Sequence, residues 1–214
     1  MEEIIKKYID RVDNAINKAN SGETKLSLIE LEIEGMSSLK NRIFLNELIF
    51  PDTRYLEIGV YKGSTFVSAL ARNTFDRAIA IDDFSQFDDN RVNFETFKNN
   101  CANSSINGAV VINHDCFSII PDEKKIISKI NTYFYDGDHR EIDQKRAITE
   151  FINEMDNVFI FIVDDWNHDG VETGTRQGIE ACELKIHKEW VLPAAYNGDR
   201  EQWWNGLYVA VLEK

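Results

Sequence analysis

Glycines and carboxylates occupy the points where several buried strands of this 214-residue sequence are predicted to end. The loop Glu57-Ile58-Gly59-Val60-Tyr61-Lys62-Gly63 continues a short apolar run from Tyr55, and Ser64 or Thr65 then begins a helix. Its glycines permit positive φ and close approach of a ligand to the backbone. In an open α/β sheet, ligands bind at this end of the strand. The loop therefore predicts a binding site, and the Glu57 carboxylate suits a cationic ligand.

This loop does not have the spacing of the common phosphate-binding loops. Neither the three-glycine spacing of a dinucleotide-binding loop nor the Gly-Lys-Ser/Thr ending of a P-loop occurs. A purely structural strand-turn-helix is the alternative.

The next two predicted strands also end in acidic residues. Ala78–Ile81 runs into Asp82-Asp83, where a carboxylate can accept both ribose hydroxyls of a nucleoside cofactor. Asp82 is favoured because it follows the apolar run directly, whereas Asp83 is expected to be solvated or to cap a turn. After the third strand, Asp115 either accepts from an adenine amine or forms an Asx-turn.

Two further acidic clusters follow the fourth and fifth predicted strands. Asp136-Gly137-Asp138-His139 comes after Tyr133–Tyr135, and Asp164-Asp165 comes after Val158–Val163. Carboxylates converging at one sheet edge repel one another and resist desolvation unless a divalent cation lies among them. Oxygen ligands favour Mg²⁺, with Mn²⁺ or Ca²⁺ as alternatives, over zinc.

These motifs resemble known methyltransferase motifs. The glycine loop resembles motif I of the class I S-adenosylmethionine-dependent methyltransferases. Asp-Gly-Asp-His followed by an apolar strand and Asp-Asp resembles the small metal-dependent O-methyltransferases that include macrocin-type sugar methyltransferases and the cephalosporin-pathway enzyme. The catechol O-methyltransferases are more distantly similar. The resemblance covers roughly Gly35 to Lys214.

The resemblance implies roles for individual residues. The implied cofactor-binding residues are Glu57, Gly59, Tyr61, Gly63, Ser64, Asp82, Asp83, Asp115, Cys116 and Asp136. Asp136, Asp164 and Asp165 would hold Mg²⁺, and His139 would accept the proton of the acceptor hydroxyl. Asp165 stands where catechol-type enzymes have Asn, which keeps an oxygen ligand and adds charge. Asp138 is an alternative ligand or orients His139, and a helix-capping role is the alternative for His139.

The order of predicted elements indicates the fold class. Strands alternate with helices, which predicts an α/β fold with a doubly wound, mainly parallel seven-stranded sheet and helices on both faces. A C-terminal antiparallel hairpin is expected to complete it. The helices and strands predicted with the longest patterns are 91–101, 141–155, 175–186, 189–195 and 207–212. Residues 1–50 are expected to form a helical cap, and 51–214 the cofactor-binding domain of one compact unit.

Composition excludes several function classes. A net charge of −13 would repel a phosphate backbone, so nucleic acid is not expected as a partner. The sequence has no apolar run near the roughly twenty residues of a membrane span, and its first residues do not resemble a signal peptide. A cytoplasmic protein with three reduced cysteines is expected. The N-terminal helix either mediates a homodimer or only covers the sheet.

Together the motifs predict S-adenosylmethionine-dependent O-methylation of a hydroxylated small molecule. Aromatic residues in the loops expected to cover the site are Trp166, His168, Trp203 and Trp204. One alternative is a metal-independent N- or C-methyltransferase, and another is a non-catalytic protein that binds an adenosyl ligand. A nicotinamide oxidoreductase is disfavoured because the dinucleotide glycine spacing is missing.

Overall fold

The computed structural model describes residues 1–87, 92–120 and 124–214. The predicted helix start at Arg91 and the predicted element boundary at Pro121 lie outside these residues. The helices are α1 (Glu2–Ser21), α2 (Leu28–Leu31), α3 (Leu39–Glu47), α4 (Ser64–Leu70), α5 (Asn93–Asn103), α6 (Glu141–Thr149) and α7 (Val171–Ala181). The strands are β1 (Arg54–Ile58), β2 (Arg77–Ile81), β3 (Ala109–Ile112), β4 (Ile130–Tyr135), β5 (Met155–Val163), β6 (Lys185–Leu192) and β7 (Leu207–Glu213).

One mixed sheet organises the described chain. Its strand order is β3-β2-β1-β4-β5-β7-β6, and β1 to β5 run parallel. β7 runs antiparallel to both β5 and β6. The predicted doubly wound, mainly parallel sheet with a terminal antiparallel hairpin is therefore confirmed.

The register of the central strands brings four loops to one edge. Ile58 of β1 lies opposite Ile81 of β2 and Tyr135 of β4, and Tyr135 lies opposite Val163 of β5. The residues that follow these strands therefore emerge side by side. The chain winds outward from β1 to β3 and returns to β4 on the other side of β1, so β1 and β4 form the topological switch point, where such sheets bind ligands.

Each face of the sheet is covered by a layer of helices. On one face α1, α3, α4 and α5 pack against residues such as Tyr55, and on the other α6 and α7 pack against residues such as Leu56. This alternation follows from the pleat of a strand whose two faces are both buried. The N-terminal helix contributes buried core residues, namely Tyr8, Val12, Ala15 and Ala19.

Several predicted boundaries are wrong, including the start of the helix predicted over 175–186 and the end of the strand predicted over 189–195. The helix predicted over 141–155 ends at Thr149, and a 3₁₀ turn then leads into β5 at Met155. The 3₁₀ turn keeps nearly helical spacing between apolar residues, so the sequence pattern continues past the helix. The helix predicted over 175–186 ends at Ala181, because Glu183 has a φ of 52° that turns the chain into β6. Consequently β6 begins at Lys185, before the predicted 189.

The structure also bears on the cysteines and on the character of the helices. Cys101, Cys116 and Cys182 are free thiols, as predicted. Among the described residues, no helix combines the length and the apolar character needed to cross a membrane.

Candidate active site

The glycine loop after β1 makes close backbone contact with the start of the acidic segment after β4. Gly59 has a φ of +86°, and a Cβ at this position would lie 1.9 Å from the carbonyl oxygen of Asp136. Gly63 has a φ of +90°, and a Cβ there would meet the Phe97 ring at 3.0 Å. Between them Tyr61 also adopts a positive φ of 48°. Glycine is required at both ends of this turn because a side chain would collide with its neighbours.

Glu57 lies behind the wall of the site. Its carboxylate is fully buried and accepts hydrogen bonds from Tyr55 Oη at 2.6 Å and Thr65 Oγ1 at 2.5 Å. Burial raises its pKa to about 8, although both hydrogen bonds act in the opposite direction. Ser64 and Thr65 line the cavity in front of it. Glu57 therefore reaches the cavity through the Thr65 hydroxyl, a relay that the sequence pattern did not reveal.

Asp82 ties the end of β2 to the glycine loop. Its Oδ2 accepts the Tyr61 N–H at 2.8 Å, and its Oδ1 accepts the Phe84 N–H at 2.7 Å. Burial raises the pKa of this carboxyl group. Asp83 is exposed and accepts the Ser85 N–H at 2.9 Å. Both side chains line the cavity, but only Asp82 is fixed by the loop that surrounds it.

The segment after β3 forms another side of the cavity, which includes Asp115, Cys116 and Phe117. Asp115 accepts the Phe117 N–H at 3.0 Å and the Ser118 hydroxyl at 2.7 Å, and these bonds lower its pKa, the hydroxyl most. Asp115 thus forms an Asx-turn, which the sequence analysis gives as the alternative to accepting from an adenine amine. Burial raises the pKa of the Cys116 thiol to about 12, so it stays neutral. The Arg146 guanidinium lies 3.9 Å from the centre of the Phe117 ring.

The acidic residues after β4 and β5 meet at the same edge. Donor atoms of Asp136, His139 and Asp165 lie within 4.8 Å of one another. His139 Nε2 is 2.5 Å from Asp165 Oδ2. Asp165 has a φ of 59°, in the left-handed region that Asp tolerates better than most residues. The other predicted metal ligand, Asp164, is buried, lines the cavity, and has an Oδ1 without a hydrogen-bond partner.

Crowding of these carboxylates shifts their protonation. Burial, then repulsion from Asp164 and Asp165, raises the pKa of Asp136 well above its usual range. Burial and Asp165 do the same for Asp164. Burial opposes ionisation of Asp165 as well, but hydrogen bonds and charge from His139 and a hydrogen bond from Asn205 outweigh it and lower the pKa. The hydrogen bond to Asp165 in turn raises the pKa of His139.

Residues from the loop before β7 complete the acidic edge. The Asn205 amide donates to Asp165 Oδ1, and its own Oδ1 accepts the Gly198 N–H at 2.6 Å. The His168 ring stacks on His139 with centroids 4.8 Å apart. Sequence analysis missed Asn205, because an asparagine some forty residues from its partner carries no local signal.

The predicted aromatic cover divides between cavity and core. Trp204 lines the cavity, as does Met36 from the segment before α3. Trp166 is buried and stacks on Tyr208 with centroids 4.2 Å apart, and Trp203 is buried against Phe44. Packing therefore accounts for two of the three tryptophans.

A single cavity of about 450 Å³ joins the glycine loop, the β2 and β3 ends and the acidic edge. The predicted site residues that line it are Gly59, Tyr61, Ser64, Asp82, Asp83, Asp115, Cys116, Asp136, His139, Asp164 and Asp165. Gly63 shapes the turn and Glu57 stands behind Thr65. Its size is in the range of small-molecule sites, which are several hundred Å³.

No protein-family model and no curated protein sequence matches the chain. Solved structures do match in three dimensions. An O-methyltransferase from Bacillus cereus in complex with SAH has a TM-score of 0.63 at 14% identity, covering 98% of this chain and 100% of its own. M. jannaschii TYW2 in complex with AdoMet has a TM-score of 0.58 at 11% identity, covering 91% of this chain and 80% of its own. An rRNA methylase from Streptococcus thermophilus has a TM-score of 0.52 at 11% identity, covering 81% and 93%.

The chain has the fold of these methyltransferases. Its candidate cavity lies at the β1/β4 switch point, where open α/β sheets bind ligands. Likeness at such low identity concerns the fold, and the acceptor must be argued from the side chains of the site.

Proposed function

We propose that this protein is an S-adenosylmethionine-dependent methyltransferase that methylates a hydroxyl group of a small molecule with the help of a divalent cation. The observation that carries the proposal is the single cavity that joins the Asp82–glycine-loop unit to the carboxylates of Asp136, Asp164 and Asp165. A carboxylate suited to a nucleoside and an edge suited to a cation therefore line the same cavity. A bound cofactor and a bound acceptor would lie side by side in it.

The cofactor end of the proposed site is built by the loops after β1, β2 and β3. Asp82 keeps acceptor capacity beyond the two backbone bonds it already accepts, so it is suited to the ribose hydroxyls. Gly59 to Ser64 would receive the amino-acid end, with Glu57 acting through Thr65. Cys116 and Phe117 offer neutral surface for the adenine. When bound, S-adenosylmethionine supplies a methyl group on a positively charged sulfur.

The acceptor end of the proposed site is the acidic edge. The residues that would hold a divalent cation are Asp136 and Asp165, with Asp164 beside them. They fit this role because buried carboxylates that repel one another, one with an unpartnered oxygen, are stabilised by positive charge. A cation there would lower the pKa of an acceptor hydroxyl. The sequence predicts that His139 accepts the proton of that hydroxyl.

Charge and cavity lining favour a small acceptor over nucleic acid. Some of the structural neighbours bear names that refer to tRNA or rRNA methylation. Here, however, the net charge is −13 and the cavity is lined by many carboxylates, which would repel phosphates. Trp204 and Met36 supply apolar lining to the same cavity, which suits the carbon skeleton of a small acceptor.

Calorimetric titration with S-adenosylmethionine and S-adenosylhomocysteine tests the proposal. Asp82→Asn should weaken binding about 10-fold or more, because it removes charge-assisted hydrogen bonds to the ribose. Asp83→Asn is the matched control, because Asp83 adjoins Asp82 in the chain but its side chain is exposed. This variant should change affinity less than about 3-fold. Absence of binding to the wild-type protein, or equal effects of the two variants, would contradict the proposed cofactor site.

A further inference from the structure

His139 belongs to the acidic edge itself and is not a separate group beside it. Its Nε2 lies 2.5 Å from Asp165 Oδ2, and both atoms belong to the group that includes an Asp136 oxygen within 4.8 Å. The donor atoms that converge here are therefore two carboxylate oxygens and one imidazole nitrogen. The sequence predicts oxygen ligands alone here, which favour Mg²⁺ with Mn²⁺ or Ca²⁺ as alternatives.

A second observation concerns Asp164, which has a buried oxygen without a partner among the described residues. Asp164 follows β5 directly, is only 3% exposed and lines the same cavity. Its Oδ1 is buried and accepts no hydrogen bond from the part of the chain that the structure describes. Buried polar atoms are nearly always satisfied in native proteins, and an ion is one of the standard explanations for an exception. Asp164 exerts the largest charge effect on Asp136 and lines the same cavity, so it lies beside the three converging donor atoms.

We propose that His139 Nε2 is a ligand of the cation, together with Asp136 and Asp165, so that the site selects a first-row transition-metal dication over Mg²⁺. The inference rests on the proposed metal-assisted function and deepens it by naming the class of ion. Imidazole suits transition metals, whereas Mg²⁺ prefers oxygen ligands and keeps several of its waters. Affinity for such a mixed site rises from Mn²⁺ through Fe²⁺ to Co²⁺ and Ni²⁺.

The Asn205 amide holds another of the proposed ligands in place. It donates to Oδ1 of Asp165, the oxygen opposite the one that faces His139. Groups that orient metal ligands in this way strengthen metal binding. A nitrogen bound to a cation cannot accept a proton. His139 Nε2 is therefore either a metal ligand or the general base, and metal titration of a His139 variant distinguishes the two roles.

His168 is the matched control for His139. It is a histidine at the same edge, but its Nε2 is 3.8 Å from Asp165 Oδ1 and 3.3 Å from the Asn197 amide, and it is not among the three converging donors. A general loss of histidine, ring stacking or positive charge would affect both residues. Loss of a metal ligand would affect His139 alone.

The experiment is titration of the full chain with Co²⁺, followed by the visible absorption of the bound ion, and with Mg²⁺ by calorimetry, without S-adenosylmethionine. Co²⁺ should bind about 10-fold or more tightly than Mg²⁺. His139→Gln should weaken Co²⁺ binding about 10-fold or more and alter its spectrum, while changing Mg²⁺ binding less than about 3-fold. His168→Gln should leave the Co²⁺ spectrum unchanged, and Asp136→Asn should weaken both ions.

Several outcomes would overturn the inference. These are absence of Co²⁺ binding, equal effects of His139→Gln on both ions, an equal loss in His168→Gln, or Co²⁺ binding that survives Asp136→Asn. Circular dichroism and thermal unfolding of each variant check that it folds. The metal titrations contain no S-adenosylmethionine, so the two experiments fail independently. Failure of S-adenosylmethionine to bind would contradict the proposed function and leave the metal assignment standing. Failure of the Co²⁺ titration would contradict the metal assignment and leave cofactor binding standing.

Discussion

The Glu57 carboxyl group shows how one residue of the glycine loop couples the site to stability. It is fully buried, accepts hydrogen bonds from two hydroxyls and from the Phe66 backbone N–H, and burial raises its pKa from 4.5 to about 8. An acid with a higher pKa in the folded protein holds its proton there after the unfolded chain has lost it. The folded state then binds more protons, so the free energy of unfolding falls as pH rises between the two values.

We expect Glu57→Gln to remove this contribution, because glutamine carries no charge, while its amide oxygen can accept from one hydroxyl and its amide nitrogen can donate to the other. Relative to the variant, wild-type protein should lose at least about 1 kcal/mol of unfolding free energy between about pH 5 and about pH 8. Urea denaturation at the two pH values measures the difference. Tyr55→Phe keeps the carboxyl group, so it should retain the pH dependence. Parallel pH profiles for wild type and Glu57→Gln would contradict the argument.

At the scale of elements, the packing of α6 against α7 positions the segment that carries His139. Gly174 lies inside α7, and a Cβ there would be 2.1 Å from the Glu141 carbonyl oxygen at the start of α6. Glu141 is only two residues after His139. The distance between α6 and α7 therefore helps to fix the position of His139 relative to the other residues of the acidic edge.

We expect Gly174→Ala to destabilise the protein by about 1–3 kcal/mol, because the helices must separate. The sign is informative, since Gly→Ala in an exposed helix interior normally stabilises by about 1 kcal/mol. Gly178→Ala is the control: its Cβ would lie 2.9 Å from Ile148 Cδ1 and 3.1 Å from Ile148 Cβ and the Lys145 carbonyl oxygen, contacts less severe than the 2.1 Å at Gly174, so a smaller loss is expected. Thermal unfolding measures both. A stabilising effect of Gly174→Ala would show that the helices accommodate the methyl group.

The elements that sequence reasoning located well are those whose signal is local. β1, β2 and β3 are short apolar runs bounded by polar residues, and acidic or glycine residues mark where β1, β2, β4 and β5 end. The ends of α6 and α7 were misplaced because a 3₁₀ turn and a left-handed Glu183 leave no glycine or proline in the sequence. Asn205 and the Tyr55–Glu57–Thr65 cluster depend on long-range packing or side-chain direction, which periodicity does not encode.

At the scale of the whole molecule, charge restricts the partners. The chain carries 37 acidic against 24 basic side chains, and many of the acidic ones line the cavity. Long-range repulsion of a polyanion acts before any contact forms, and it is strongest at low ionic strength.

We therefore expect no measurable binding of a fluorescently labelled tRNA by anisotropy, at low or physiological salt, at protein concentrations up to about 100 µM. A basic RNA-binding protein of similar size serves as the positive control. Micromolar binding that weakens as salt is added would contradict the small-molecule assignment and favour an RNA acceptor.

The contact between Gly59 and the Asp136 carbonyl has a mechanical consequence. The chain leaves no slack between the loop that would hold the methyl donor and the strand that leads into the acidic edge, because even one methyl group cannot be inserted there. Neighbouring parallel strands connect the two by backbone hydrogen bonds as well. Donor and acceptor would thus be aligned by a single rigid body, and the entropy of aligning them is lost when the chain folds instead of at each turnover.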